Sequence, residues 1–235
     1  VIRATVGLGF GRGRLRYARL ILNGRDLKTK KTSARKRKEN FEEFDEALDK
    51  VLNLNDWHAF VNALGDAGYV NKGMISSENT VPLTFAITLI AKHRFGIRGI
   101  ELQRIAKRWF FMAILTQMYT GNFESVFEQQ MNSINELKGP ESFRSWVDGE
   151  IAARLTDDFF AVTLPNELDK NRASGPVWNG FLAAQVILGS RVLFGTGTVA
   201  QLLLPSSSGK KKAYDKHHVF PANFLKGGPY EILRD

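Results

Sequence analysis

The sequence predicts a mainly α-helical protein, built as a multi-helix bundle. Over most of 41–204, apolar residues recur three and four positions apart, which is the spacing of one face of an α-helix. Tracts of alternating apolar and polar residues long enough to form a sheet are missing. The composition is that of a folded domain, because 43% of the 235 residues are hydrophobic and 24% are charged. Wholesale disorder is therefore excluded.

The first helices of the bundle follow from apolar spacing and from capping residues. Apolar residues recur at helical spacing among charged residues over 41–52, which predicts a helix there. Asn55 has the position of an N-cap for a second helix over 56–64. The segment 83–90 is apolar nearly all round, which predicts a buried helix. Pro82 falls near the first turn of this helix, where proline is tolerated.

The later helices follow from the same patterns. A long helix is predicted from Glu101, with an apolar side formed by Leu102, Ile105, Ala106, Trp109, Phe110, Ala113, Ile114 and Met118. Helical spacing resumes over 123–137 and over 141–155. Acidic, serine and proline residues predict a broken stretch over 157–176, and an apolar helix is expected over 178–193.

The positive charge of the chain is concentrated at its N-terminus. Residues 1–38 contain 13 basic residues and one acidic residue, whereas 39–235 contain 20 basic and 23 acidic residues. The same arm contains alternating glycines at Gly7, Gly9, Gly11 and Gly13. A phosphate-binding loop would need a leading strand and a following Gly-Lys-Ser/Thr, so a flexible segment is favoured. For the arm, both nucleic-acid contact and a solvated linker stay open.

These patterns divide the chain into three parts. Residues 1–38 are expected to be a basic arm rich in Gly, Arg and Lys, or the join to a missing N-terminal domain. Residues 39–204 are expected to be the helical domain. Composition changes after Leu204, because a proline, three serines and a glycine precede a run of lysines. Residues 205–235 therefore begin with a linker.

Several classes of protein are excluded by what the sequence lacks. It has no cysteine, so it has no disulfide framework, thiolate metal site or cysteine nucleophile. The lack of cysteine fits the reducing cytoplasm, our expected location, although it is compatible with other compartments. No apolar run reaches the roughly 18 residues that a membrane span needs. The chain begins with Val1 rather than Met, which suggests a fragment of a longer polypeptide.

One cluster of residues carries a possible chemistry. His217 and His218 are adjacent in the string Asp-Lys-His-His-Val-Phe-Pro, and neighbouring residues of an extended segment point to opposite sides. One imidazole can therefore bind a divalent cation while the other accepts a proton from water. A phosphate could be held by the nearby basic run, which consists of Lys210, Lys211, Lys212 and Lys216. These are the parts of a metal-dependent nuclease, and a polar loop after a linker is the alternative.

The string His-His-Val-Phe-Pro at 217–221 resembles the first signature of HNH-type (ββα-metal) nucleases. In that family the usual form is Asp-His or His-His, an aliphatic residue, any residue and then Pro. Upstream, the strings at 57–60, 68–69, 108–113 and 118–121 follow an order that resembles the C-terminal half of GmrSD-like restriction proteins. Those proteins join a ParB-like, nucleotide-using N-terminal domain to a helical region and a C-terminal HNH nuclease. They act on modified or foreign DNA.

The resemblance implies a role for each residue of the cluster. His217 would bind a divalent metal, Mg²⁺ or Mn²⁺, and His218 would be the general base that activates water. Asp215 lies one residue too far upstream for the family's acidic position, so it is an alternative metal ligand or an orienting group. Lys210, Lys211, Lys212 and Lys216 become the candidates for DNA contact. Residues 205–235 would then be a linker and the start of a ββα-metal module.

The resemblance also implies that the module is incomplete. The family needs an Asn in a following loop or strand and a further Asn or His on a closing helix. This chain ends at Asp235, 17 residues after His218, and Asn223 lies too close to His218 to supply either group. We therefore expect the parent protein to be a DNA endonuclease of restriction or phage-defence type. This chain is expected to be a fragment of it that is inactive alone. Any nucleotide would be bound only through the missing N-terminal domain.

Two other functions compete with the nuclease. The chain could be a non-enzymatic helical module for nucleic-acid binding or assembly, with salt-sensitive affinity for any duplex. It could also be a scaffold that docks a partner protein, which predicts a large exposed apolar patch on the bundle. The sequence leaves homo-oligomerisation open, and no membrane partner is expected.

Overall fold

The protein is a bundle of α-helices, as its sequence predicts. The structure is a computed structural model that describes residues 1–170, 174–193 and 195–204. Within these ranges it has eleven α-helices and no strand, apart from isolated bridges at Arg25–Thr32 and Arg191–Thr198. The ββα-metal segment expected within 205–235 lies outside the described residues. In the described part of the chain, no helix is long and apolar enough to cross a membrane.

The helices follow one another along the chain with short connections. Their bounds are α1 Ile2–Phe10, α2 Arg16–Leu22, α3 Ala34–Val51, α4 Leu54–Asp66, α5 Thr80–His93, α6 Gly99–Leu115, α7 Phe123–Glu136, α8 Pro140–Ala152, α9 Leu164–Asp169, α10 Pro176–Ile187 and α11 Val199–Leu203. A 3₁₀ turn at Lys72–Met74 precedes α5, and a π-helical turn at Phe159–Thr163 runs into α9.

Helices α5 and α6 form the centre of the bundle. Every residue of 83–90 in α5 is buried, which confirms the prediction made from its apolar composition. The indole of Trp57 in α4 stacks on Phe85 with ring centroids 3.8 Å apart. In α6, Trp109 and Phe110 are fully buried, as the predicted apolar side requires. Helices α1, α4, α8 and α10 pack around this pair.

The start of α4 differs from the predicted one. Asn53, rather than Asn55, is the N-cap, and its Oδ1 accepts a hydrogen bond from the Asp56 backbone N–H at 3.2 Å. Asn55 lies two residues further on, inside the first turn. Both asparagines are chemically suited to capping, and the helix begins two residues earlier than the apolar spacing indicated.

The flexible segment expected at the N-terminal glycines is wrong. Gly7 and Gly9 lie inside α1, which packs against α3 and α5. A Cβ on Gly9 would lie 3.1 Å from the Ala47 Cβ, and one on Gly7 would lie 3.5 Å from the Phe127 ring. The glycines therefore allow α1 to approach its neighbours closely, and this contact outweighs their poor helix propensity.

The stretch expected to be broken contains helical turns. The π-helical turn and α9 occupy much of 157–170, with Pro165 in the first turn of α9, where proline is tolerated. The apolar helix expected over 178–193 begins at Pro176 and ends at Ile187 as α10. A capped short helix, α11, follows it and packs against α10.

Candidate nucleic-acid interface

The predicted catalytic and metal-binding residues lie outside the part of the chain that the structure describes. These are His217, His218 and Asp215, together with the predicted DNA-contacting residues Lys210, Lys211, Lys212 and Lys216. Their roles stay predictions. Within 1–170, 174–193 and 195–204, no group of three His, Asp or Glu side chains could hold a metal ion.

A second cluster of cations does lie within the described residues, at one end of the bundle. Helix α2, the loop after it and the first turns of α3 carry ten basic side chains, which we call the basic end. They are Arg16, Arg19, Arg25, Lys28, Lys30, Lys31, Arg35, Lys36, Arg37 and Lys38. Eight of the ten are exposed, and Arg25 and Lys36 are partly buried. The segment expected to be a basic arm or a join thus contains a helical hairpin, formed by α2 and α3, that presents its charges to solvent.

The loop between α2 and α3 is held by its own backbone. The Arg25 and Thr32 backbones form an antiparallel bridge, and the Ser33 N–H donates to the Gly24 carbonyl at 3.2 Å. Gly24 has a φ of +79°, in the left-handed region that favours glycine. A Cβ there would lie 2.7 Å from both the Ser33 carbonyl oxygen and the Arg37 Cβ. This position therefore requires glycine for two independent reasons.

Asp26, the acidic residue of this loop, accepts its hydrogen bonds from the backbone of the loop itself. The Asp26 carboxylate accepts hydrogen bonds from the backbone N–H groups of Thr29 at 2.6 Å and Lys28 at 2.9 Å. These bonds, that from Thr29 foremost, lower the pKa of Asp26. Its charge thus orders the turn, and the lysines around it project from a defined loop.

A buried asparagine joins the two helices of the hairpin. The Asn40 side chain in α3 is 2% exposed and donates hydrogen bonds to the Ile21 carbonyl at 2.7 Å and the Arg25 carbonyl at 3.3 Å. Beneath it, Val6, Ile21 and Phe44 belong to a small apolar core shared by α1, α2 and α3. The basic end is therefore built on a packed support, which reduces the entropy lost when a ligand binds.

The charges of the basic end are poorly neutralised. Ion pairs join Arg35 to Glu39 at 2.9 Å, Lys36 to Glu39 at 3.4 Å and Lys38 to Glu42 at 4.0 Å. The other seven cations have no carboxylate within 4.0 Å among the described residues. Helix α3 also has no acidic residue in its first turn, where the helix dipole favours negative charge. An anionic ligand would reduce the repulsion among these cations and would interact favourably with the N-terminus of α3. A phosphate polymer supplies many such negative charges.

The loop between α1 and α2 attaches the hairpin to the rest of the bundle. The Glu128 carboxylate of α7 accepts hydrogen bonds from the Gly13 and Arg14 backbone N–H groups, and from the Arg12 guanidinium at 3.4 Å. The Arg14 guanidinium donates to the Ser125 hydroxyl at 3.1 Å. Arg12 and Arg14 therefore serve this attachment and are separate from the basic end.

Sequence reasoning missed Glu128. Its side chain is buried and holds the α1–α2 loop. No local signal could have identified it, because its partners lie more than 110 residues away in the sequence. The carboxylate pattern of α7 alone predicts an exposed residue.

A smaller polar cluster joins α4 to α5. The His93 Nε2 lies 3.5 Å from the Asp56 Oδ2, and the Lys92 ammonium contacts the other carboxylate oxygen. Burial, followed by the nearby Lys92 charge, lowers the pKa of His93. His58 is exposed on α4 and lies outside this cluster. This cluster fixes two helices and has the make-up of a structural contact.

No protein-family model matches this chain, and no curated protein or solved structure shows a significant match.

Proposed function

We propose that this chain is part of a DNA endonuclease of restriction or phage-defence type, with a helical body that contacts DNA through the basic end. The observation that carries this proposal is the cluster of exposed, largely unpaired cations on the packed α2–α3 hairpin. Such a surface binds a phosphate backbone without regard to sequence. The His-His-Val-Phe-Pro string supplies the nuclease part of the proposal.

The proposed chemistry belongs to residues 205–235. His217, with Asp215 as an alternative ligand or orienting group, would hold Mg²⁺ or Mn²⁺, and of the two side chains the carboxylate is the donor type that these ions favour. The bound metal would stabilise the negative charge that develops during phosphodiester hydrolysis. His218 would take the proton from the attacking water, as its ordinary pKa near neutrality allows. Lys210, Lys211, Lys212 and Lys216 would hold the phosphate next to it.

The nuclease part of the proposal is tested by cleavage assays. The chain of residues 1–235, incubated with duplex DNA and Mg²⁺ or Mn²⁺, should not cut, because Asn223 lies too close to His218 to supply the asparagine of the motif. A longer protein that continues beyond Asp235 should cut, and His218→Ala should abolish cutting. Failure of the longer protein to cut under any metal or nucleotide would overturn the nuclease part.

The DNA-binding part is tested separately by fluorescence anisotropy with a duplex. We expect Lys28, Lys30 and Lys31 changed together to Gln to weaken binding and to flatten its salt dependence, by about 0.9 in log–log slope for each lost phosphate contact. The charge-matched control changes the exposed Lys72, Lys138 and Lys170 to Gln. Equal effects of the two triple variants would overturn the assignment of the basic end.

The basic end also favours a second function, a non-enzymatic nucleic-acid-binding module. The hairpin needs no histidine cluster to bind a duplex, so its charges support this function equally well. The two functions differ in the longer protein. Salt-sensitive binding with no cutting, and with no effect of His218→Ala, would favour the binding module.

A further inference from the structure

Helix α10 carries more apolar surface than its neighbours cover. Its sequence from Pro176 to Ile187 contains no charged residue, yet only Gly180 and Ala183 are buried. Phe181 is 39% exposed, and Leu188, which follows α10 two turns after Phe181 on the same side, is 75% exposed. A helix that is apolar on all sides is usually buried on all sides. One face of α10 therefore lacks its partner among the described residues.

The other face of α10 is tightly fixed. A Cβ on Gly180 would lie 2.9 Å from the Leu115 Cδ1 of α6, so the two helices approach closely. The Asn179 side chain donates to the Met74 carbonyl at 3.0 Å. Because these contacts set the rotation of α10, the exposure of its other side chains is a fixed property of the fold.

An apolar groove runs beside α10. Its floor is α6, one wall is α10, and the other wall is the end of α8 with the π-helical turn. Two cavities, of about 1050 Å³ and about 340 Å³, lie along it, and their apolar lining includes Phe111, Leu115, Leu155, Phe159, Trp178 and Ile187. Phe111 and Leu115 are one turn apart on α6, so the two cavities share a floor.

The groove is suited to an apolar occupant. All four basic residues that line it are in ion pairs, namely Lys107 with Asp66, Arg108 with Asp148, Arg154 with Glu150 and Lys170 with Glu167. Among the described residues, little unpaired positive charge is left there to attract an anion, whereas most cations of the basic end are unpaired. The partly exposed rings of Phe111 and Phe159 and the exposed side chain of Ile187 instead mark a protein-docking surface.

We propose that residues 205–235 of the same chain cover this groove. The described chain reaches Leu204 directly after α11, which packs on α10, and the Leu203 carbonyl accepts a hydrogen bond from Asn71 at 2.6 Å. The following 31 residues therefore begin beside the helix whose face is uncovered. They contain eight large apolar or aromatic residues, Tyr214, Val219, Phe220, Phe224, Leu225, Tyr230, Ile232 and Leu233.

Tethering favours this occupant over a separate protein. A segment joined to its site by a short linker has an effective concentration in the millimolar range, so weak apolar contacts suffice to hold it. The proposal deepens the proposed function, because it places the segment with His217 and His218 against the helical body. It does not depend on catalysis, since the groove and the apolar residues of the segment would meet whether or not DNA is cut.

The absence of cysteine makes the proposal directly testable in the full chain. Ile187→Cys places a thiol at the groove, and Lys226→Cys or Glu231→Cys places one beside the apolar residues of the segment while leaving them intact. A short bis-maleimide should link either pair within one chain. The control is Val61→Cys, whose position on α4 has a similar exposure of 55%. We expect several-fold higher yields with Ile187→Cys than with Val61→Cys.

The outcomes separate the possible occupants. Equal yields at the two positions would overturn the proposal, and so would links only between chains that increase with protein concentration, which would indicate a second copy. In a second measurement, Phe224→Ser should raise the maleimide reactivity of Ile187→Cys several-fold, and no rise would also overturn it. His218→Ala should leave the cross-link unchanged, so loss of cutting and loss of docking are distinguishable.

Discussion

The backbone N–H of Gly13 donates a 2.6 Å hydrogen bond to the Glu128 carboxylate, which joins residues 115 positions apart in the sequence. The Arg14 N–H donates to the same oxygen at 3.1 Å. A Cβ on Gly13 would lie 2.5 Å from the Glu128 backbone nitrogen, so the approach requires glycine. This contact fixes the loop that leads into the basic end, and it relates the position of that surface to α7.

Glu128→Ala should destabilise the protein. It leaves two backbone N–H groups at a largely buried site without their acceptor, which costs about 1–3 kcal/mol for each group left unsatisfied. Glu128→Gln keeps one acceptor oxygen and should cost less. Urea unfolding followed by circular dichroism measures the difference.

The matched control for this prediction is Glu124→Ala, one turn earlier on α7. Glu124 pairs with Arg3, and its side chain is 40% exposed. Exposed ion pairs contribute little to stability, so this change should have a small effect. If the two alanine variants unfolded at the same urea concentration, the importance of the Gly13–Glu128 contact would be refuted.

The sequence predicts some parts of the fold correctly and others not at all. The buried segment 83–90 and the apolar side of α6 are predicted correctly, because periodicity reports burial through local spacing alone. The α1 glycines are misjudged and Glu128 is missed because distant helices decide their surroundings. Propensity favours flexibility for Gly7 and Gly9, and only the positions of α3 and α7 reveal why small residues stand there. The basic end follows the same rule, since its charges are visible in the sequence and its rigid support is not.

Gly24→Ala should disturb the loop that carries the basic end. The residue would have to adopt a φ of +79° with its Cβ 2.7 Å from the Ser33 carbonyl oxygen. We expect a loss of stability greater than the roughly 1–2 kcal/mol that a left-handed conformation alone costs an L-residue. Gly121→Ala is the control, because Gly121 has a φ of +60° and open space around it. Thermal unfolding should rank Gly24→Ala below Gly121→Ala, and the reverse order would contradict this account of the loop.

Tyr119→Phe should destabilise the core. The fully buried Tyr119 hydroxyl donates to the Gln130 Oε1 at 2.8 Å and accepts from the Trp109 Nε1 at 3.1 Å. Burial raises the pKa of this hydroxyl, which stays protonated and able to donate. Its removal leaves two buried polar groups without a partner, at about 1–3 kcal/mol each.

Tyr69→Phe is the natural control for that change. The Tyr69 hydroxyl is also buried, but among the described residues it has no hydrogen-bond partner. Removing it relieves an unsatisfied group, so the change should be neutral or stabilising. Equal destabilisation by the two Tyr→Phe variants would show that the hydrogen bonds of Tyr119 contribute nothing of their own.

The His93 cluster should make the stability of the protein depend on pH. Burial is the foremost cause of the lowered pKa of His93, and the Lys92 and Lys50 charges act in the same direction, against the opposing effect of the nearby Asp56 carboxylate. Because the folded-state pKa lies below the unfolded value of 6.5, the unfolded chain binds the proton more readily. This contribution is therefore fully present above pH 6.5 and is lost as the pH falls through the folded-state pKa.

Urea unfolding at a series of pH values around and below 6.5 measures this contribution. His93→Gln removes the titrating group, so the stability of this variant should fall less steeply than that of the parent protein as the pH decreases. His58→Gln is the control, since His58 is exposed on α4 and the change leaves the His93–Asp56 contact in place. The parent slope should persist in His58→Gln. If the slope also persisted in His93→Gln, the titration responsible would have to be assigned to another group.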